Sequence, residues 1–173
     1  YKDMYRKAEY AMKHQKSYDA NPVGMQRPAY DKSIEALYPV VSDEMPVLFE
    51  AEKVKDISRV LALHKELGFQ PILANVKQGW HHLNMIKEKN IPVVLSLDIP
   101  ASEEKDEKKK KDDDQEDMDP AKKAMMERRD KAISDYQSQA ATFVKEGLEI
   151  SFTAKDLKSK DFKKNLAAMM EQG

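Results

Sequence analysis

Eight polar residues stand where chemistry could be done: Glu50 and Glu52, Asn75, Ser96 and Asp98, and Thr153, Lys155 and Asp156. Each group closes or follows a short apolar run, at residues 46–51, 71–75, 92–97 and 148–153, that reads as a β-strand. Side chains alternate along a strand, so Glu50 with Glu52, Ser96 with Asp98 and Thr153 with Lys155 each share a side. Function in parallel sheets concentrates at the carboxyl ends of the strands, where loops converge on an open crevice. The spacing therefore predicts a polar pocket built by several strands. The bland alternative is that strand ends are simply where a chain meets water.

Other chemistries find little support. The four histidines, His14, His64, His81 and His82, fall on helical segments, and the adjacent pair diverges by about 100° around a helix, so it does not readily chelate one metal. Surface or helix-packing roles are expected for all four. There is no His-x-His, His-Glu-x-x-His or Gly-x-Ser-x-Gly sequence, and five glycines without a Gly-x-Gly pair leave no phosphate-cradling loop. With no cysteine, thiolate catalysis, Cys-based zinc sites and disulfides are excluded. The 10 methionines sit mostly at helical positions and read as core or interface filler.

The elements that must position the polar groups follow from hydrophobic period. Residues 1–45 form a helical lead-in: Met4, Ala8, Ala11 and Met12 mark a helix over 1–16, residues 17–28 a loop, and Tyr30, Ile34, Leu37 and Tyr38 a second helix over 29–38. Residues 46–100 alternate strand and helix, with Val54, Ile57, Leu61 and Leu67 on one helical face ended by Gly68, and Trp80, Leu83 and Ile86 on the next. Residues 101–120 are a charged insert; between 103 and 119 only Gln115 and Met118 are not Asp, Glu or Lys. Nothing there offsets the entropy of ordering, so a solvated, mobile loop is expected, with metal or partner docking through Asp112, Asp113 and Asp114 as the alternative. Residues 121–173 carry a long helix opened by Asp119 and Pro120, with Met125, Arg129, Ile133, Tyr136, Ala140 and Phe143 on one face and Gly147 at its end. The last strand follows, then a helix capped by Ser159 and bearing Phe162, Leu166 and Met169.

The result is an α/β fold of parallel βα units. Its four strands make either half of a TIM-type barrel or a small doubly wound sheet. Thirty basic against 31 acidic residues leave a net charge of −1, which argues against a nucleic-acid partner, and no apolar run reaches the ~20 residues that cross a bilayer. Tyr1 already lies in a helical pattern and Gly173 closes a helix, so the chain is expected to be a piece of something longer.

The stretch from Pro46 through Glu50, Glu52 and Ile57 to Leu67 and Gly68, with Pro71 to Trp80 and Ile91 to Leu95 behind it, resembles the amidohydrolase family, in its imidazolonepropionase-like branch. The closing run from Gly147 through Thr153, Lys155 and Asp156, then Phe162 to Gly173, is similar to that family's final strand and helix. The resemblance covers residues 29–173 apart from the charged insert. It implies a TIM-type barrel of which this chain supplies strands five to eight. It also implies hydrolysis of carbon–nitrogen bonds by one or two divalent metals, usually zinc, that activate a water. The family's ligands come from a His-x-His after strand one, a carboxylated Lys or Glu on strand four, a His on each of strands five and six, and an Asp on strand eight.

Carried over by position, the strand-five His falls on Glu50, the strand-six His on Asn75 and the strand-eight Asp on Lys155, with Asp156 one place away. Glu50 can ligate a divalent cation, Asn75 is a weak neutral ligand, and the Lys155 ammonium offers no lone pair and no base. A salt bridge from Lys155 to Glu50 or Asp98 is the physical substitute for the ion. The resemblance thus leads to the expectation of a half-barrel without the usual metal chemistry and with no cofactor of its own, serving binding or scaffolding. One alternative is a metal-dependent hydrolase of cyclic amides, holding zinc through an upstream His-x-His plus Glu50. The other is an independent doubly wound interaction domain. The expected partner is the N-terminal half of the same barrel, and self-association is expected of the chain alone. Exported relatives in Gram-negative bacteria suggest an exported protein.

Overall fold

A computed structural model describes residues 1–100 and 120–172. Residues 101–119 of the charged insert, with Asp112, Asp113, Asp114 and the expected cap Asp119, lie outside the described residues. The chain begins with helix α1 (Lys2–Ala20), followed by two single-turn helices, α2 (Lys32–Glu35) and α3 (Tyr38–Val41). Strand and helix then alternate: β1 (Val47–Glu50), α4 (Val54–Leu67), β2 (Pro71–Val76), a 3₁₀ turn (Gly79–His82) running into α5 (Leu83–Glu88), and β3 (Val93–Ser96). The described remainder is α6 (Pro120–Lys145), β4 (Ile150–Thr153), a 3₁₀ turn (Ser159–Asp161) and α7 (Phe162–Met170). No helix among the described residues is long and apolar enough to cross a membrane.

All four strands are parallel and lie in the order β1-β2-β3-β4. That order never reverses, so right-handed crossovers carry the helices to one face, and the sheet is an arc of a barrel rather than a doubly wound sheet. Its curvature shows between strands that are not neighbours. Cα atoms of β2 and β4 come within 8 Å, where a flat sheet would hold them ~9–10 Å apart.

The core lies between the sheet and its helices. Leu73, Val93 and Leu95 from the strands are buried against Ile57 and Leu61 of α4, Ile86 of α5, and Ala140 and Phe143 of α6. Each of the larger of these side chains contributes about 1.5–3 kcal/mol by leaving water, and Ala140 under about 1 kcal/mol. Gly68 ends α4 at φ 82°, a conformation open to residues without a Cβ. A second cluster of Tyr5, Val40 and Phe69, with Phe49 beside it, fixes α1 and α3 to the start of the sheet. The opposite face of the sheet is buried at Ala74 and Ser96, half-buried at Ile72 and Val94 and exposed at its edges. Leu48, 59% exposed, is paired with Ile72 on that face, and Val94 is paired with Ser151.

Several elements differ from the sequence pattern. α1 runs four residues past Lys16, to Ala20. The single helix expected over 29–38 is two turns: Asp31 caps the first by accepting from the Ser33 and Ile34 amides, and Pro39, which lacks an N–H and clashes with the preceding turn, restarts the second. The helix expected from Trp80 begins as a 3₁₀ turn. On α6, Met125 is 65% exposed and Arg129 lies in solvent, while only Ala140 and Phe143 of the expected face are fully buried. Length explains this: 26 helical residues span ~39 Å, three times a four-residue strand, so the first turns project beyond the sheet. Ser159 starts a 3₁₀ turn, and α7 has no side-chain cap.

Candidate functional site

The carboxyl ends of the strands bring Glu50, Glu52, Asn75, Asp98 and Lys155 together around one mouth. Between β2 and β3 the register slips by one residue: Leu73 pairs with Val93, but Val76 pairs with Leu95. The extra residue is accommodated by Asn75 in the left-handed region at φ 56°, a conformation that Asn tolerates better than most residues. The bulge buries the Asn75 side chain, whose Nδ2 donates to Glu52 Oε1 at 2.9 Å. Its Oδ1 is buried without a partner among the described residues.

Glu52 is held by its own backbone, since its carbonyl accepts from the amides of Lys77 and Gln78. Across from it, Lys77 reaches into the mouth, its side chain only 19% exposed. The Nζ lies 2.8 Å from Asp98 Oδ2 and 3.4 Å from Glu52 Oε2. Partial burial draws the Lys77 pKa down, but the hydrogen bond and charge of Asp98, joined by Glu52, outweigh it and hold the ammonium above its ordinary value. One cation thus ties the ends of β1, β2 and β3. Asp98 is positioned from below, its amide donating to Ser96 Oγ at 3.2 Å.

The fourth strand joins by a longer reach. The Lys155 amide donates to Thr153 Oγ1 at 3.2 Å, and the Lys155 ammonium pairs with Glu50 on β1, at the opposite edge of the sheet. Of the two acceptors open to Lys155 in the sequence, the fold gives it Glu50, and Asp98 belongs to Lys77. The hydrogen bond to Glu50 raises the Lys155 pKa, more than its desolvation lowers it, with further help from the charges of Glu50, Asp156 and Glu52. Asp156 itself is exposed and turned into the left-handed region at φ 64°, so it lends charge without closing on the mouth.

Lys77 is the residue the sequence reading passed over. Ending the second strand at Asn75 hid it. β2 ends at Val76 and bulges at Asn75, so plain alternation does not carry to Lys77; the one-residue slip brings it to the mouth.

The histidines stand apart from the mouth. His64 Nδ1 lies 2.7 Å from the Phe69 carbonyl, His82 bridges the Val54 carbonyl and Ser58 on α4, His81 lies against Trp80, and His14 lies near Tyr10 on α1. Among the described residues no three His, Asp or Glu side chains converge as ligands for one ion. The carboxylates at the mouth are taken up by cations and an amide. Two ammonium groups occupy it, Glu50 and Asp98 are each engaged by one of them, and Glu52 is shared between Lys77 and Asn75.

Compared with solved structures, the chain is similar to the crystal structure of an amidohydrolase from Thermotoga maritima MSB8, with a TM-score of 0.67 and 17% identity. The match covers 99% of this chain and 38% of that one, so the chain spans well under half the length of its neighbour. The likeness is one of fold, four parallel βα units in the same arrangement. No protein-family model and no curated protein matches the sequence.

Proposed function

We propose that this chain is a half-barrel of amidohydrolase-like fold in which lysine ammonium groups have taken over the structural role of the metal, and that it acts by binding or scaffolding rather than by metal-dependent hydrolysis. The observation that carries this reading is the pairing at the mouth, Lys77 with Asp98 and Glu52, and Lys155 with Glu50. A hydrolytic centre of this type needs anionic or neutral ligands and a carboxylate base to take a proton from bound water. A protonated lysine at the position of that base supplies neither.

The partner in this reading is a second set of four parallel strands. Among the described residues both sheet edges, β1 and β4, are unpaired, and one face carries Leu48, Ile72 and Val94 beside Ser151. Exposed strand edges beside an apolar face favour association. In the longer protein the complement is the other half of the same barrel, and in the chain alone it is a second copy.

Titrating zinc into the 173-residue chain by calorimetry tests the metal part, with no stoichiometric heat expected. Tight binding of one zinc per chain, with turnover of a cyclic amide by the protein carrying its other half, would favour the metal-dependent hydrolase instead. Light scattering tests the partner: a dimer or larger assembly is expected, and a monomer at high concentration contradicts it.

A further inference from the structure

Away from the strand mouth, α1, the loop after it and the turns α2 and α3 enclose a cleft of about 440 Å³, within the size range of small-molecule sites. Four of the chain's seven tyrosines line it. Tyr10 and Tyr18 stand two turns apart on α1 with His14 between them, Tyr30 comes from the loop, and Tyr38 opens α3. Tyr10 and Tyr30 are 75% and 77% exposed, more than any other aromatic ring among the described residues. A fold gains nothing by holding two large rings in water.

The charge of the cleft is the second observation. Two carboxylates, Glu35 and Asp19, line it against one guanidinium, Arg27. Asp19 accepts from Gln15 at 2.8 Å, whereas the Glu35 carboxylate makes no ion pair among the described residues. Burial and, after it, the Glu35 charge raise the Tyr38 pKa, so the negative potential is felt at the ring. Four tyrosines beside a carboxylate that makes no ion pair among the described residues suit a cation that is large and poorly hydrated. They suit an anion badly, because two carboxylates would repel it.

We infer that this cleft binds a methylated ammonium group, such as the trimethylammonium head of choline or of a trimethylated lysine, caged by Tyr10, Tyr18, Tyr30 and Tyr38 and neutralised by Glu35. Ring faces attract such ions through their quadrupoles, and the methyl groups lose little hydration on entering. The inference stands apart from the reading of the strand mouth and survives its failure.

Proton NMR titration of the full chain with choline, with Nε-trimethyl-lysine and with the neutral isostere 3,3-dimethylbutan-1-ol tests it. Shifts of the tyrosine ring signals are expected with both cations, and at least about tenfold weaker binding of the isostere, as charge recognition by several rings requires. A preference for the lysine derivative would point to a protein source, and one for choline to a lipid headgroup; either supports the inference. Tyr30→Ala and Tyr10→Ala should each weaken choline about two- to fivefold, and Glu35→Gln similarly. The exposure of both tyrosines leaves folding intact, which thermal melts check. Equal affinity for the isostere, no shift with either cation, or wild-type affinity in all three variants would overturn the inference.

Discussion

Two lysines close the strand mouth, and they do so differently. Lys77 sits between carboxylates on its neighbouring strands, four-fifths withdrawn from water, and its site includes a register bulge and a buried amide. Lys155 lies 44% exposed and reaches a single carboxylate on the far edge of the sheet. Attraction between charges is weakened by water and by the entropy of holding long side chains in place. The Lys77 group is therefore a built structural centre. The Lys155 pair is a tie across the arc whose strength depends on what else covers it. A complete barrel would shield the second pair, so the contrast between the two is itself a property of the half-barrel.

The largest effect is expected at the built centre. Lys77→Met removes the cation while leaving Glu52 and Asp98, 34% and 39% exposed, facing each other, and should lower unfolding stability by about 1 kcal/mol in a denaturant melt, the water at both carboxylates screening the rest. Retention of wild-type stability would make Lys77 an ordinary surface lysine. Gly79→Ala probes the support behind Lys77: a Cβ there would meet Val76 Cγ1 at 2.8 Å and Phe143 Cζ at 2.9 Å, and overpacking of this kind costs about 1–3 kcal/mol. Lys155→Met, by contrast, should leave the melt of the isolated chain unchanged within error. If it destabilises as much as Lys77→Met, the distinction between the two lysines falls.

The smallest effect is in pH. Because the Lys77 pKa is raised on folding, its contribution is complete below the ordinary lysine value of 10.5 and fades as pH climbs through the raised one. The stability gap between wild type and Lys77→Met should accordingly be flat across neutral pH and narrow only above 10.5. Guanidinium would screen these charges, so urea melts from pH 6 to 11 are the suitable measurement; a gap that narrows on the acid side of neutrality instead would assign it to another group.

The fold was written plainly in the chain where burial is continuous. The four apolar runs are strands, with Pro46, Pro71 and Pro92 at or next to their first residues, and Gly68 and Gly147 close the helices before β2 and β4. Period failed where helices outrun what they cover, as at Met125, and where one proline outweighs an apolar stripe, as at Pro39. At the mouth, Glu50, Glu52, Asn75, Asp98 and Lys155 could be placed at strand ends from alternation alone. Which carboxylate takes which lysine could not, because the partners are 21 to 105 residues apart and their choice depends on a one-residue bulge. Lys77 needed that bulge to become visible.

The central claim is that ammonium groups occupy the mouth in place of a metal. Crystals of this chain grown with zinc and measured at the zinc absorption edge test it most directly. The account predicts Lys77 on Asp98 and Lys155 on Glu50, with no anomalous peak among the strand ends. A peak about 2.0–2.2 Å from a carboxylate oxygen of Glu50 or Glu52, with the lysines swung aside, would contradict it.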